Sequence, residues 1–201
     1  MAGLLSNFRN TVIVSVILAL IMLAAYAAHS PGGLDTIFWQ GTFRLLHVFA
    51  GILWIGLLYY FNFVQIRKMP EIPAELKPGV SKYIAPEALF WFRWAAVATV
   101  ISGLAIAETG GMAVGERYLV PGLTFQQGYR VIGLGMWLGL IMAANVWFII
   151  WPNQQKALGL KPADDATKAR AARVAMLASR TNLVLSIPML YAMVTQIYLP
   201  E

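Results

Sequence analysis

Five stretches of this chain are apolar over eighteen residues or more, and that constrains the fold more than any other feature. Thr11 to Ala28 holds no charged residue, and the stretches at about 45–65, 89–107, 129–151 and 182–199 hold only Arg93 and Arg130. A helix of about 20 residues crosses a hydrocarbon layer of about 30 Å. Inside lipid only helices and closed barrels satisfy every backbone donor and acceptor. Composition agrees: 59% of the 201 residues are hydrophobic and 12% are charged, where a soluble domain is about a quarter charged. The expectation is an all-α integral membrane protein with five transmembrane helices, a single membrane domain over residues 1–201. Its second to fifth helices form a four-helix bundle.

The first run ends in Ala25-Tyr26-Ala27, which resembles a signal-peptidase site. The run is longer than a usual signal core, so it reads as a retained first span. Five spans put the two termini on opposite sides. Arg9, Arg67, Lys68, Lys77, Lys82, Lys156, Lys161, Lys168, Arg170, Arg173 and Arg180 then share one side, 11 in all, against Arg44, Arg117 and Arg130 on the other. The positive-inside rule places the N-terminus in the cytoplasm and the C-terminus in the periplasm of a bacterial inner membrane. The net charge of +6 thus reflects topology and does not call for a nucleic-acid partner.

Between the spans, Pro31-Gly32-Gly33 breaks the chain after the first, and Pro70, Pro73, Pro78 and Pro86 mark the loop after the second. Residues 108–128 read as an ordered, nearly neutral loop. At about 163–180 an amphipathic cytoplasmic helix is expected, opened by Asp164 and Asp165 near its positive end. Pro188 should kink the last span, since it removes a donor and crowds the carbonyl of Val184.

Cysteine is absent, which excludes disulfides, thiolate metal sites and covalent c-type haem. No phosphate loop, nucleophile elbow or pair of acids in a cleft is present.

The stretch from Arg44 to Lys68 carries the chemistry. His47 is the one histidine expected within a bilayer. It is followed by Gly51 one turn on, by Trp54, and by Gly56. Twenty residues separate His47 from Arg67, about 30 Å along a helix. A neutral imidazole could ligate a b-type haem iron, Gly51 could admit a flat macrocycle, Trp54 could flank it, and Arg44 and Arg130 could meet its propionates. Equally, His47 could donate to a backbone carbonyl, with Gly51 serving helix packing. A quinone or ion site is a further alternative. For a second axial ligand, Met189, Met193 and His29 are the candidates.

Arg93, between Trp91, Phe92 and Trp94, is expected to snorkel to the interface, with a functional charge as the alternative. Asn62, Asn145 and Asn182 are expected to bond between helices, and Gly135-x-x-x-Gly139 to pack closely. Glu108, Glu116 and Arg117 are expected to pair with one another or with a partner protein. With an offset of 83, Trp54, Gly56 and Asn62 fall on Trp137, Gly139 and Asn145, a faint parallel repeat.

The pattern His47-x3-Gly51-x2-Trp54-x-Gly56-x2-Tyr59-x2-Asn62 continues into Phe92-Arg93-Trp94, Gly103 and Asn145-x2-Phe148. Trp151-Pro152-Asn153-Gln154-Gln155-Lys156, Ser179-Arg180-x-Asn182 and Pro188 follow. Over about residues 43–198 this resembles the membrane, N-terminal domain of bacterial urate oxidases fused to a cytochrome c, here without the cytochrome's cysteines. The resemblance implies a membrane domain that passes electrons to a periplasmic cytochrome. The His-x6-Trp-x-Gly element is more weakly similar to haem-binding membrane protoporphyrinogen oxidases, in which a helix histidine ligates b-type haem. Their essential lysine has no lysine counterpart, Arg130 being the nearest position.

The expected function is an inner-membrane redox component that binds b-type haem at His47 near the periplasmic face and passes electrons to a separate partner. That partner is a periplasmic cytochrome or a membrane complex. The alternative is a non-catalytic accessory subunit packed against a larger respiratory or photosynthetic complex. A transporter is disfavoured by the scarcity of midplane charge.

Overall fold

A computed structural model describes residues 2–110, 116–196 and 198–199. The described residues contain helices and no strand: α1 (Ala2–Leu5), α2 (Phe8–His29), α3 (Thr36–Glu71), α4 (Lys77–Thr109), α5 (Leu119–Leu123), α6 (Arg130–Ala157) and α7 (Asp165–Thr195). The five long helices, α2, α3, α4, α6 and α7, coincide with the five apolar stretches and are long and apolar enough to cross a membrane. They also run past the apolar limits. α3 has 36 residues and α4 has 33, against about 20 needed for the hydrocarbon. The expected amphipathic helix and fifth span are one uninterrupted α7, which continues through Pro188. No glycine or proline stands between Asp165 and Asn182 to end the first part. Within 108–128 the structure adds α5, while residues 111–115 of that loop lie outside the described residues.

Contacts divide the chain after Thr42. In the first unit, Asn7 caps α2 by accepting from the Asn10 amide at 3.2 Å. His29 Nδ1 donates to the Ala25 carbonyl at 2.8 Å. Tyr26 stacks on Phe38 with ring centroids 6.0 Å apart, and Asp35 accepts the Phe38 amide at 2.9 Å to start α3.

The second unit, residues 43–201, has its own core. Trp54, Leu58 and Phe61 of α3 meet Leu89, Phe92 and Ala96 of α4, Met142, Val146 and Ile150 of α6, and Met189 of α7. Each set repeats at three to four residues, the spacing of one helix face. A smaller cluster joins Ile106 and Ala107 to Tyr118 and Ile132, closed by the Tyr118 amide donating to the Ala107 carbonyl at 2.9 Å. Lipid offers no hydrophobic gain for helix association, so packing and interhelical hydrogen bonds hold such an assembly together.

Three of the long helices contain π turns: Tyr60–Gln65 in α3, Val80–Ile84 in α4 and Val146–Ile150 in α6. Each inserts a residue into the helical register, a device that recurs at functional sites. Two of them adjoin the repeat noted above, since Asn62 lies within the first and Asn145 immediately precedes the last.

Candidate functional site

His47 faces α4. Its Nδ1 donates to the backbone carbonyl of Thr99 at 2.8 Å. A carbonyl only accepts, so Nδ1 carries the hydrogen and Nε2 keeps its lone pair. Ser102 Oγ lies 3.5 Å from Nδ1, but it already donates to the Ala98 carbonyl at 2.6 Å. Thr99 Oγ1 is likewise committed, to Ala95 at 2.7 Å. Gly103 makes the approach feasible: a Cβ there would stand 2.8 Å from the imidazole Cε1 and 3.0 Å from Nδ1. Nε2 has no hydrogen-bond partner among the described residues.

The other candidates are distributed around this contact. A Cβ on Gly51 would meet the Thr99 methyl at 3.9 Å, so Gly51 faces α4 in ordinary contact. Trp54 is buried in the core, and its Nε1 is unpartnered. His47 and Gly51 therefore face α4, with Gly51 half-buried. Arg44, one turn before His47, is close enough to Tyr118 to act on its phenol. Burial pushes that phenol's pKa up, and the Arg44 charge opposes the shift. Arg130 is exposed and opens α6. Met189 is buried in the core, with Met193 packed beside it.

A polar layer lies at two of the π turns, Tyr60–Gln65 and Val146–Ile150. Asn62 Nδ2 donates to the Leu58 carbonyl and to Ser179 Oγ, both at 2.9 Å. Asn145 Nδ2 donates to the Ala178 carbonyl at 2.9 Å and to Asn182 Oδ1 at 2.7 Å. Asn182 Nδ2 donates onward to the Met142 carbonyl at 3.0 Å. Ser186 Oγ donates to the Leu183 carbonyl at 2.8 Å, so at the 3.2 Å contact between Tyr59 and Ser186 the phenol donates. Ser179, Asn182 and Ser186 are spaced at i, i+3 and i+7, one face of α7. The interhelical role expected of the three asparagines is what the structure has. Tyr59, Ser179 and Ser186 were not picked out for this layer, although the same spacing on α7 marks the two serines. The repeat is only partial, for Trp54 is buried while Trp137 is exposed and donates to the Leu123 carbonyl at 3.0 Å.

Arg93 does not snorkel. It is 8% exposed, and its guanidinium carbon lies 3.3 Å from the Trp151 ring centroid and 6.0 Å from that of Trp147. Such stacking stabilises a cation by about 0.5–2 kcal/mol, which offsets part of the cost of burying the guanidinium. Nε and Nη1 are buried without an acceptor among the described residues. On the loop side, Arg117 pairs with Glu108 at 3.0 Å, and Tyr129 donates to Glu116 at 3.0 Å.

The two glycines of Gly135-x-x-x-Gly139 part company. A Cβ on Gly135 would sit 3.2 Å from that of Ala192, whereas one on Gly139 would meet nothing within 4 Å.

These features define a multi-pass helical membrane protein with a histidine anchored between helices and a polar layer at two of its π turns. Within that class, residues 122–200 match the family model described as urate oxidase N-terminal, so the chain resembles that domain. The match takes in Arg130, Asn145, Ser179, Asn182 and Pro188. It covers 79 of the 201 residues and leaves His47 and Arg93 outside. No curated protein and no solved structure matches the chain.

Proposed function

We propose that the protein is a redox component of a bacterial inner membrane that holds a b-type haem at His47 and passes electrons to a separate partner. The observation that carries this is the imidazole itself. Nδ1–H is fixed by the Thr99 carbonyl and Nε2 is left with a lone pair, the arrangement a metal-ligating histidine takes. A bound haem would supply one-electron transfer. The chain's own residues do the positioning: Thr99 sets the tautomer, Gly103 lets the ring sit against α4, and Ser102 is held by Ala98 and does not compete. The cofactor would lie on the Nε2 side of the ring, where the lone pair is, with Gly51 and Trp54 on the same helix beside it. Arg44 and Arg130 would meet the propionates.

The resemblance to the urate oxidase N-terminal domain supports a membrane part of an oxidase. The positive-inside rule puts the His47 end toward the periplasm, which makes a periplasmic cytochrome or a membrane complex the natural electron partner. A pyridine haemochromogen assay on the purified protein tests this directly. About one haem b per chain supports the reading, and none refutes it.

The alternative, an accessory subunit of a larger complex, is favoured by the open space beside Gly139 and the exposed Trp137 and Ile141 on the same helix. It requires stoichiometric co-purification with that complex and no pigment in the isolated chain.

A further inference from the structure

The segment Phe90-Trp91-Phe92-Arg93-Trp94 sets one cation among aromatic rings. Trp91 and Trp94 are exposed, as befits a belt at the depth of lipid headgroups. Arg93 turns inward instead, onto Trp151, with Nε and Nη1 buried and unpartnered. No carboxylate lies within ion-pair distance of it among the described residues. Stacking on an indole offsets part of the charge but leaves the N–H donors unused.

Next to it lies a cleft of about 320 Å³ between α4 and α6, walled by Val97, Val100, Ile101, Leu140, Ala144 and Phe148. Val97, Val100 and Ile101 are four, seven and eight residues after Arg93, so they extend its helix face. Trp147 belongs to both features, since it lines the cleft and lies 6.0 Å from the Arg93 guanidinium carbon. An apolar trough and a cation without an ion-pair partner among the described residues therefore meet at Trp147.

We infer that Arg93 and this cleft form a binding site for one anionic phospholipid, its phosphate taken by the Arg93 donors and an acyl chain laid along the α4–α6 trough. A phosphate diester supplies what the site is missing, both a formal negative charge and acceptor oxygens for a guanidinium. A neutral quinone carbonyl would accept a hydrogen bond and leave the charge uncompensated. The site is independent of the haem reading, because His47 takes no part in it.

The test uses the full chain in nanodiscs of phosphatidylcholine, with and without phosphatidylglycerol, followed by native mass spectrometry and thermal unfolding. Wild type should retain one phosphatidylglycerol and melt higher in its presence. Arg93→Gln should lose that preference by about tenfold or more, and so should Val100→Phe, which fills the trough and leaves the cation in place. Lys82→Gln, a charge change on the same helix, should keep the preference. The proposal is overturned if wild type shows no preference, or if a folded Arg93→Gln or a folded Val100→Phe retains it. Equal loss in Lys82→Gln, or a neutral isoprenoid quinone as the retained molecule, also overturns it. Should Arg93→Gln not fold, Val100→Phe decides the outcome.

Discussion

The imidazole of His47 occupies the space that a side chain on Gly103 would need, its Cε1 lying 2.8 Å from where a Cβ would stand. One helix supplies the ring and the other supplies both the vacancy and, at Thr99, the acceptor that orients it. Gly103→Ala should therefore push the ring off the Thr99 carbonyl and cost about 1–3 kcal/mol of stability, as overpacking does. Gly51→Ala, with 3.9 Å of clearance to Thr99, should be tolerated. Unfolding of both variants by denaturing detergent checks the pair, and equal effects would contradict the geometry.

Asn182 is 0% exposed and both accepts from Asn145 and donates to Met142. Interhelical hydrogen bonds in membranes average about 0.6 kcal/mol and reach about 1.7. Asn182→Ala, which removes two of them and opens a small void, should cost about 1–3 kcal/mol. A double-mutant cycle with Asn145→Ala should return a coupling of about 0.5 kcal/mol or more, since the first substitution already breaks the shared bond.

The glycines of α6 should separate sharply under alanine substitution. A Cβ on Gly133 would collide with the Gly122 backbone carbonyl, which no side-chain rotation relieves, so Gly133→Ala should cost about 3 kcal/mol or more. Gly139→Ala meets nothing and should range from neutral to about 1 kcal/mol stabilising through helix propensity. Melting temperatures of the two variants in one detergent give the comparison.

The cap of α7 makes stability pH-dependent. Asp164 accepts the Thr167 amide at 2.7 Å, and that bond holds its pKa below the ordinary aspartate value. Its folded pKa is the lower one, so the unfolded chain takes up the proton first as the solution is acidified. The contribution is complete above the ordinary aspartate pKa of about 3.9 and is lost as pH falls through the depressed value. Asp164→Asn keeps an acceptor without the titration, so its melting temperature should vary less than wild type's across that acid range.

The spans were legible because lipid imposes a length and a polarity that composition alone displays. The three asparagines were legible as interhelical bonds because an amide inside a membrane needs a partner. Arg93 misled because snorkelling and stacking differ only in whether Trp147 and Trp151, which lie in and directly after the π turn at Val146–Ile150, reach it. π turns have no sequence signature here; they arise where tertiary contacts reward an inserted residue. His47 was legible as the residue to watch, with donation to a backbone carbonyl already one of its three readings. Its acceptor, Thr99, lies 52 residues away, a distance that periodicity does not encode.

The most direct measurement is the reduced-minus-oxidised absorption spectrum of the purified protein, recorded for wild type, His47→Ala and Gly51→Ala. Haem ligation at His47 predicts a b-type α-band in wild type and Gly51→Ala that is abolished in a folded His47→Ala. Absence of the band from wild type, or its full retention in His47→Ala, would contradict it.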